Sequence, residues 1–205
     1  MKDTPSTIFV VDDDDAVRTS LRLLLKSVGL PVETFSSAQE FLDAFDAERA
    51  GCLVLDIRMP GMSGLELQQK LNEMHAIIPI VFITGHGDVP MAVEAMQHGA
   101  IDFIQKPFRD QELIDRINQA RETDQKNREG LGERDAIIKR MGHLTPRERE
   151  VLNLVTKGKA NKVIAFDLSV SQRTVEIHRA RVMEKMGASS LAHLVRMVLE
   201  AERAI

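Results

Sequence analysis

Short apolar runs recur along the first part of the chain, at positions 8–11, 32–35, 53–55, 80–83 and 101–104, the second weaker than the others. Between them apolar residues return at helical spacing. Val17, Leu21, Leu24, Leu25 and Val28 share one face; Leu65, Leu67 and Leu71 fit another helix, and Leu113, Ile114 and Ile117 a third. Runs that are continuous rather than alternating predict strands covered on both faces, as a parallel sheet requires. Strand and helix alternating five times predict a doubly wound α/β domain over residues 1–121.

Residues 121–143 break the pattern: 11 of these 23 positions are charged, and Gly130 and Gly132 interrupt any periodicity. We read 122–143 as a linker; the pattern allows its start to extend the preceding helix and does not decide the rest. From 144 to 205 strand-like runs vanish and short helices follow one another, an all-α domain. Thr145, Pro146 and Glu148 have the spacing of an N-cap, a first-position proline and a capping box. A second helix is expected over about 161–168, a turn at Ser169-Val170, and a third helix capped by Ser171 and reaching about Met186. Helix, tight turn, longer helix is a helix-turn-helix candidate.

At 100° per residue the third helix turns Val175, His178, Val182 and Met186 to the core, which makes His178 a packed structural residue. Its opposite face carries Arg173, Glu176, Ile177, Ala180, Arg181 and Glu184. There Arg173 and Arg181 suit guanine or phosphate, and Ile177 and Ala180 suit thymine methyls. Lys162, Thr174, Arg179 and Lys185 lie on flanks suited to backbone contacts. A solvated charged face fits the same residues.

Charge separates the two parts. Residues 1–139 carry 15 Lys/Arg against 24 Asp/Glu, and residues 140–205 carry 12 against 7, so the basic part is the nucleic-acid candidate. With 43% hydrophobic and 28% charged residues the composition is that of a folded protein. The apolar run at 8–11 is far short of a signal peptide or membrane span, which predicts a soluble cytoplasmic protein with no membrane partner. The single Cys52 cannot form an internal disulfide, one thiol beside scattered histidines is not a zinc pattern, and Cys52 is expected to be a small buried hydrophobe.

The candidate chemistry lies where the strands end. Positions 8–11 run into Asp12-Asp13-Asp14-Asp15, 53–55 into Asp56, 80–83 into Thr84, and 101–104 into Gln105-Lys106-Pro107. In open α/β sheets such residues converge in the crevice beyond the carboxyl ends of the strands. Carboxylates gathered there repel and stay ionised beside a cation. Oxygen ligands with room for water suit Mg2+. An Asp beside a divalent ion, a hydroxyl and a lysine is a nucleophile for phosphoryl transfer, giving an aspartyl phosphate. Each feature taken singly has a structural reading, as a cap, a salt bridge, a helix N-terminus or a turn; their joint placement carries the argument. A haloacid-dehalogenase-type phosphatase would place a second Asp two residues after the first, where this chain has Arg58. There is no G-x-x-x-x-G-K-[ST], and Gly85-His86-Gly87 lacks the third glycine of a dinucleotide loop, so an independent enzyme is not expected.

"VVDDDDAVR", "LVLDIRMPGMSG", "IVFITGHGD" and "DFIQKPF" resemble the receiver domain of two-component response regulators over residues 1 to about 121. The resemblance implies a flavodoxin-like strand order 2-1-3-4-5. It also implies Asp56 as phosphoacceptor, and Mg2+ held by Asp12, Asp13, Asp56 and the backbone carbonyl of Arg58. Thr84 and Phe103 become switch residues and Lys106 the phosphate-binding lysine. "LTPREREVLNLVTKGKANKVIAFDLSVSQRTVEIHRARVMEKMGASS" resembles the LuxR/NarL-type DNA-binding domain, across 144 to about 200. Glu176 departs from the lysine common at that place, which puts the family's usual base contacts in doubt.

"GHGDVPMAVEAM" and "QRTVE" narrow the resemblance to regulators of nitrogen-fixation genes that pair with a sensor histidine kinase. The implied function is a phosphorylation-activated transcription activator acting on promoter DNA with RNA polymerase. Phosphorylation is expected to draw Thr84 inward, let Phe103 fill the space, and pair two chains through a face carrying Val89, Val93 and Gln97. The competing reading is a phosphorylation-independent DNA-binding or scaffolding protein with a vestigial pocket. Such a pocket should have lost Lys106, Thr84 or one of the acidic pair, and none is lost.

Overall fold

The structure, a computed structural model of the chain, describes residues 6–85 and 89–202, with Val89 described in its backbone alone. It divides into two compact units, Met1–Arg128 and Glu129–Ile205. In the first unit five strands alternate with helices: β1 (Thr7–Val11), α1 (Asp15–Ser27), β2 (Val32–Phe35), α2 (Ala38–Ala44), β3 (Gly51–Asp56), α3 (Gly64–Glu73), β4 (Ile80–Thr84), α4 (Val89–Gln97), β5 (Asp102–Gln105) and the part of α5 (Asp110–Gly142) up to Arg128. The strands are all parallel, in the order β2-β1-β3-β4-β5. That is the doubly wound sheet expected from the continuous apolar runs, in the flavodoxin-like order that the resemblance implies.

Alternate side chains of each strand feed opposite cores. Phe9, Val11, Leu53 and Leu55 pack with Phe41, Leu67, Leu71 and Ala95 from α2, α3 and α4. Ile8, Val10, Cys52 and Val54 pack with Leu21, Leu25, Leu113 and Ile117 from α1 and α5. Cys52 is fully buried, and loss of solvation pushes its thiol up to about 12, so it serves as a small hydrophobe. Because the strands are parallel, all their carboxyl ends meet at one edge, and the ends of β1, β3 and β4 form the crevice.

The stretch read as a linker is helical, since α5 runs unbroken through Gly142. Its early part belongs to the first unit. The Asp124 carboxylate, buried, accepts from the Gly51 amide at 2.9 Å and from Arg128 Nε at 3.0 Å. The Arg128 guanidinium in turn donates to the carbonyls of Ala47, Glu48 and Arg49. This clasp holds the entry to β3 from behind. At Gly51 a Cβ would collide with the Thr7 carbonyl, so β3 starts where only glycine fits.

The second unit packs α6 (Pro146–Thr156), α7 (Asn161–Asp167), α8 (Gln172–Met186) and α9 (Leu191–Glu202) around Val151, Leu152, Ile164, Val175, Val182, Met186 and Leu194, with Ile137 of α5. Thr145 and Glu148 form the expected capping box, Ser171 caps α8, and Gly187 ends α8 in the left-handed conformation. His178 is partly buried as predicted; its Nδ1 has no hydrogen-bond partner among the described residues.

Candidate functional site

β1 delivers Asp12 one residue past its end, β3 ends on Asp56, β4 ends on Thr84, and Lys106 follows β5. Asp12 and Asp56 are 1% and 7% exposed. A buried strand tolerates these charges because a cation meets them. Lys106 Nζ donates to Asp12 Oδ2 at 2.8 Å and to Asp56 Oδ1 at 2.7 Å. The remaining oxygens are also served: Asp12 Oδ1 accepts from the Asp14 amide at 2.9 Å, and Asp56 Oδ2 from the Arg58 amide at 2.8 Å. Thr84 is buried and its hydroxyl donates to the Gly85 carbonyl at 3.1 Å.

The turn after β3 explains its glycine. The Gly64 amide bonds the Ile57 carbonyl at 2.9 Å, and a Cβ at Gly64 would strike the backbone oxygen of Asp56. Ser63 caps α3 and its capping box with Glu66 fixes the helix start there. The helix therefore begins against the backbone of the acidic strand end.

Burial pushes the Asp56 carboxyl above its ordinary range, and the Asp12 charge adds to this; the hydrogen bond and charge of Lys106 and the Arg58 amide offset only part of it. For Lys106, burial works against the ammonium, but the hydrogen bonds to Asp12 and Asp56 outweigh it and hold its pKa above the usual lysine value. The result is a desolvated carboxylate kept beside a persistent positive charge.

Asp13 is exposed, as is Arg58. Among the described residues no group of three His, Cys, Asp or Glu side chains is assembled as a metal site. The donor chemistry nonetheless fits Mg2+: Asp12 and Asp56 present only carboxylate oxygens, and both lie within hydrogen-bonding distance of the same ammonium, so they can share a cation. Phe103 is 37% exposed on β5 and Val93 50% exposed on α4, with Gln97 exposed on the same helix. The side chain of Val89 lies outside the described residues, as do residues 86–88 of the "GHGD" stretch.

A second candidate surface lies on α8. Arg173, Glu176, Ile177, Ala180 and Arg181 are all exposed, and Lys162 is exposed on α7. The flanking residues have duties within the unit. Arg179 donates to Asn161 at 2.6 Å, Thr174 meets the Ser171 cap, and Lys185 pairs with Glu148 at 2.6 Å. Sequence reasoning passed over Arg18, whose guanidinium donates to the Asp12 carbonyl at 2.7 Å and to Asp15 at 3.0 Å. The available signal was Arg18 three residues after Asp15 at the head of a helix, a spacing that allows an ion pair.

Fold and site together define a phosphorylatable receiver joined to a helix-turn-helix domain, the organisation of a response regulator. The response regulator receiver domain family matches residues 8–118, and the luxR family of bacterial regulatory proteins matches residues 142–198; the chain belongs to both families and is a FixJ-like transcriptional regulator. It is 51% identical to the transcriptional regulatory protein FixJ of Azorhizobium caulinodans over 95% of this chain and 92% of that protein. It is 48% identical to nodulation protein W of Bradyrhizobium diazoefficiens over 95% of this chain and 86% of that protein. Among solved structures, the response regulator StyR matches with a TM-score of 0.82 at 48% identity, over 96% of this chain and 99% of that one. A receiver domain implies a histidine kinase partner and generally binds Mg2+ at its phosphorylation site, and a luxR-type domain implies DNA binding. No described helix is long and apolar enough to cross a membrane.

Proposed function

We propose that Asp56 is the phosphoacceptor of a switch that turns this chain into a DNA-bound transcription activator. The observation that carries this reading is the Lys106 ammonium bridging Asp12 and Asp56 at the carboxyl end of the sheet. An oxygen of Asp56 attacks the phosphorus of the kinase's phosphohistidine. The P–N bond breaks, the imidazole leaves with the electron pair and takes up a proton, and an acyl phosphate remains on Asp56. Lys106 neutralises charge on the phosphoryl oxygens and holds them in place. Thr84, on the neighbouring strand end, can exchange its bond to the Gly85 carbonyl for a phosphoryl oxygen. Mg2+, when bound, would be held by Asp12, Asp13, Asp56 and the Arg58 carbonyl, and would supply further neutralisation of the transferring group.

The DNA side of the proposal places Arg173, Glu176, Ile177, Ala180 and Arg181 toward base edges, with Lys162, Thr174, Arg179 and Lys185 near the backbone. The finer reading is activation of nitrogen-fixation genes through RNA polymerase; the 51% identity to the transcriptional regulatory protein FixJ supports its transcriptional part. Incubation of the full chain with acetyl phosphate and Mg2+, followed by intact-mass measurement, tests the phosphoacceptor. One acid-stable, base-labile phosphoryl group is expected on the unaltered protein and none on Asp56→Asn. Uptake of one group by Asp56→Asn would place the site elsewhere.

A further inference from the structure

We propose that Arg18 is a positioning residue for the acidic pair, bracing the turn whose Asp12 and Asp13 would hold Mg2+. The inference rests on the reading of the crevice as a Mg2+-dependent phosphoacceptor site. Arg18 lies one turn into α1, its side chain 15% exposed. One end of its guanidinium donates to the Asp12 carbonyl at 2.7 Å, and the other to Asp15 Oδ1 at 3.0 Å. The fork thus spans the four-aspartate turn from its first residue to its last. Inside the span, the Asp14 carboxylate caps α1 by accepting from the Ala16 amide at 2.8 Å. The Asp14 amide holds Asp12 Oδ1, and Lys106 holds Asp12 Oδ2. Side chain and backbone of Asp12 are therefore fixed by separate groups: the Phe35 carbonyl takes its amide at 3.3 Å, and Arg18 holds its carbonyl.

Two physical roles make opposite predictions. As a bare positive charge near the crevice, Arg18 would repel a divalent cation, and its removal would tighten Mg2+ binding. As a brace it would do the reverse. Asp15 pairs with the guanidinium and offsets part of its charge, and the brace requires geometry to be the larger effect. Only a planar fork reaches two acceptors at fixed separation; a lysine ammonium keeps the charge and loses the span.

The experiment uses the full chain, reading Mg2+ affinity from the rise of the melting midpoint with added Mg2+ at constant ionic strength. Arg18→Met and Arg18→Lys should each weaken Mg2+ affinity about tenfold, the low end of what groups orienting metal ligands contribute. The metal-free melting midpoint separates this from a general loss of fold, and it should move far less than the affinity. Unchanged or tighter binding by Arg18→Met, or wild-type affinity in Arg18→Lys, overturns the brace. If Arg18→Met does not fold, Arg18→Lys decides the matter by itself. No uptake of Mg2+ by the unaltered protein would overturn the reading of the site, and the brace with it.

Discussion

Glu148 ties two helices with one carboxylate. It closes the capping box at the head of α6 and takes the Lys185 ammonium from the last turn of α8 at 2.6 Å. The Lys185 hydrogen bond first, then the Thr145 amide, hold its pKa down at about 2 from an ordinary 4.5. A carboxylate depressed on folding stabilises the fold above its unfolded pKa, and that contribution is lost as pH falls from about 4.5 toward about 2. Glu148→Gln keeps an acceptor for the capping box but loses the charge facing Lys185, so it should destabilise the protein at neutral pH by roughly 1–3 kcal/mol, the range for a hydrogen bond to a charged group. Melting curves across that pH window should show the gap between the two proteins narrowing with acid; a gap independent of pH would refute the assignment. Half of this arrangement is legible in the sequence, because Thr145 and Glu148 lie within one helical turn. The Lys185 half is not, since a helical wheel marks Lys185 as exposed without showing which neighbouring helix end it meets. Arg18 escaped for another reason: its spacing to Asp15 is visible, but its bond to the Asp12 carbonyl is to backbone, which no side-chain pattern marks. Asp56 and Lys106 stood out because strand ends of a parallel sheet must converge.

Among the elements, β1, β3 and β4 were readable because both their faces are buried and their apolar runs are continuous. α5 was not. On one face it carries Leu113, Ile117 and Ala120, all buried, and the same face then continues with Asp124 and Arg128. A charge pair with a buried carboxylate replaces the apolar stripe, so a hydrophobic period stops where the helix does not. Gly130 and Gly132, each worth about 1 kcal/mol against helix relative to alanine, strengthened the impression of a break. α8 was legible in extent and in its buried side, and its outer face is where its prediction lies. Arg173→Ala should cost roughly 1–3 kcal/mol on the specific operator if Arg173 reads a base. Equal loss on operator and random DNA, measured at one salt concentration, would make Arg173 a phosphate contact instead.

At the scale of the molecule, the expectation concerns two copies. Val93, Met96 and Phe103 are 50%, 39% and 37% exposed on α4 and β5, an apolar allotment that a second chain could cover. Phosphorylation of Asp56 is expected to shift the population toward pairing through this face and to bring two α8 helices to half-sites about one helical turn apart. Sedimentation with and without a phosphoryl donor should show the shift, and Val93→Glu should prevent pairing while leaving phosphorylation of Asp56 intact. A fully phosphorylated protein that stays monomeric yet gains DNA affinity would rule this mechanism out.

The clasp of Asp124 and Arg128 has a consequence for how such chains can be recombined. The receiver family match stops at residue 118, and a graft of this receiver onto a foreign output domain would naturally be cut near there. That cut leaves the Gly51 amide and the carbonyls of Ala47, Glu48 and Arg49 without the partners they have here. A cut after Arg128 carries the clasp along. Exchange of modules between regulators, in the laboratory or in a genome, thus has a preferred seam in the interior of a helix, ten residues beyond where the family resemblance ends.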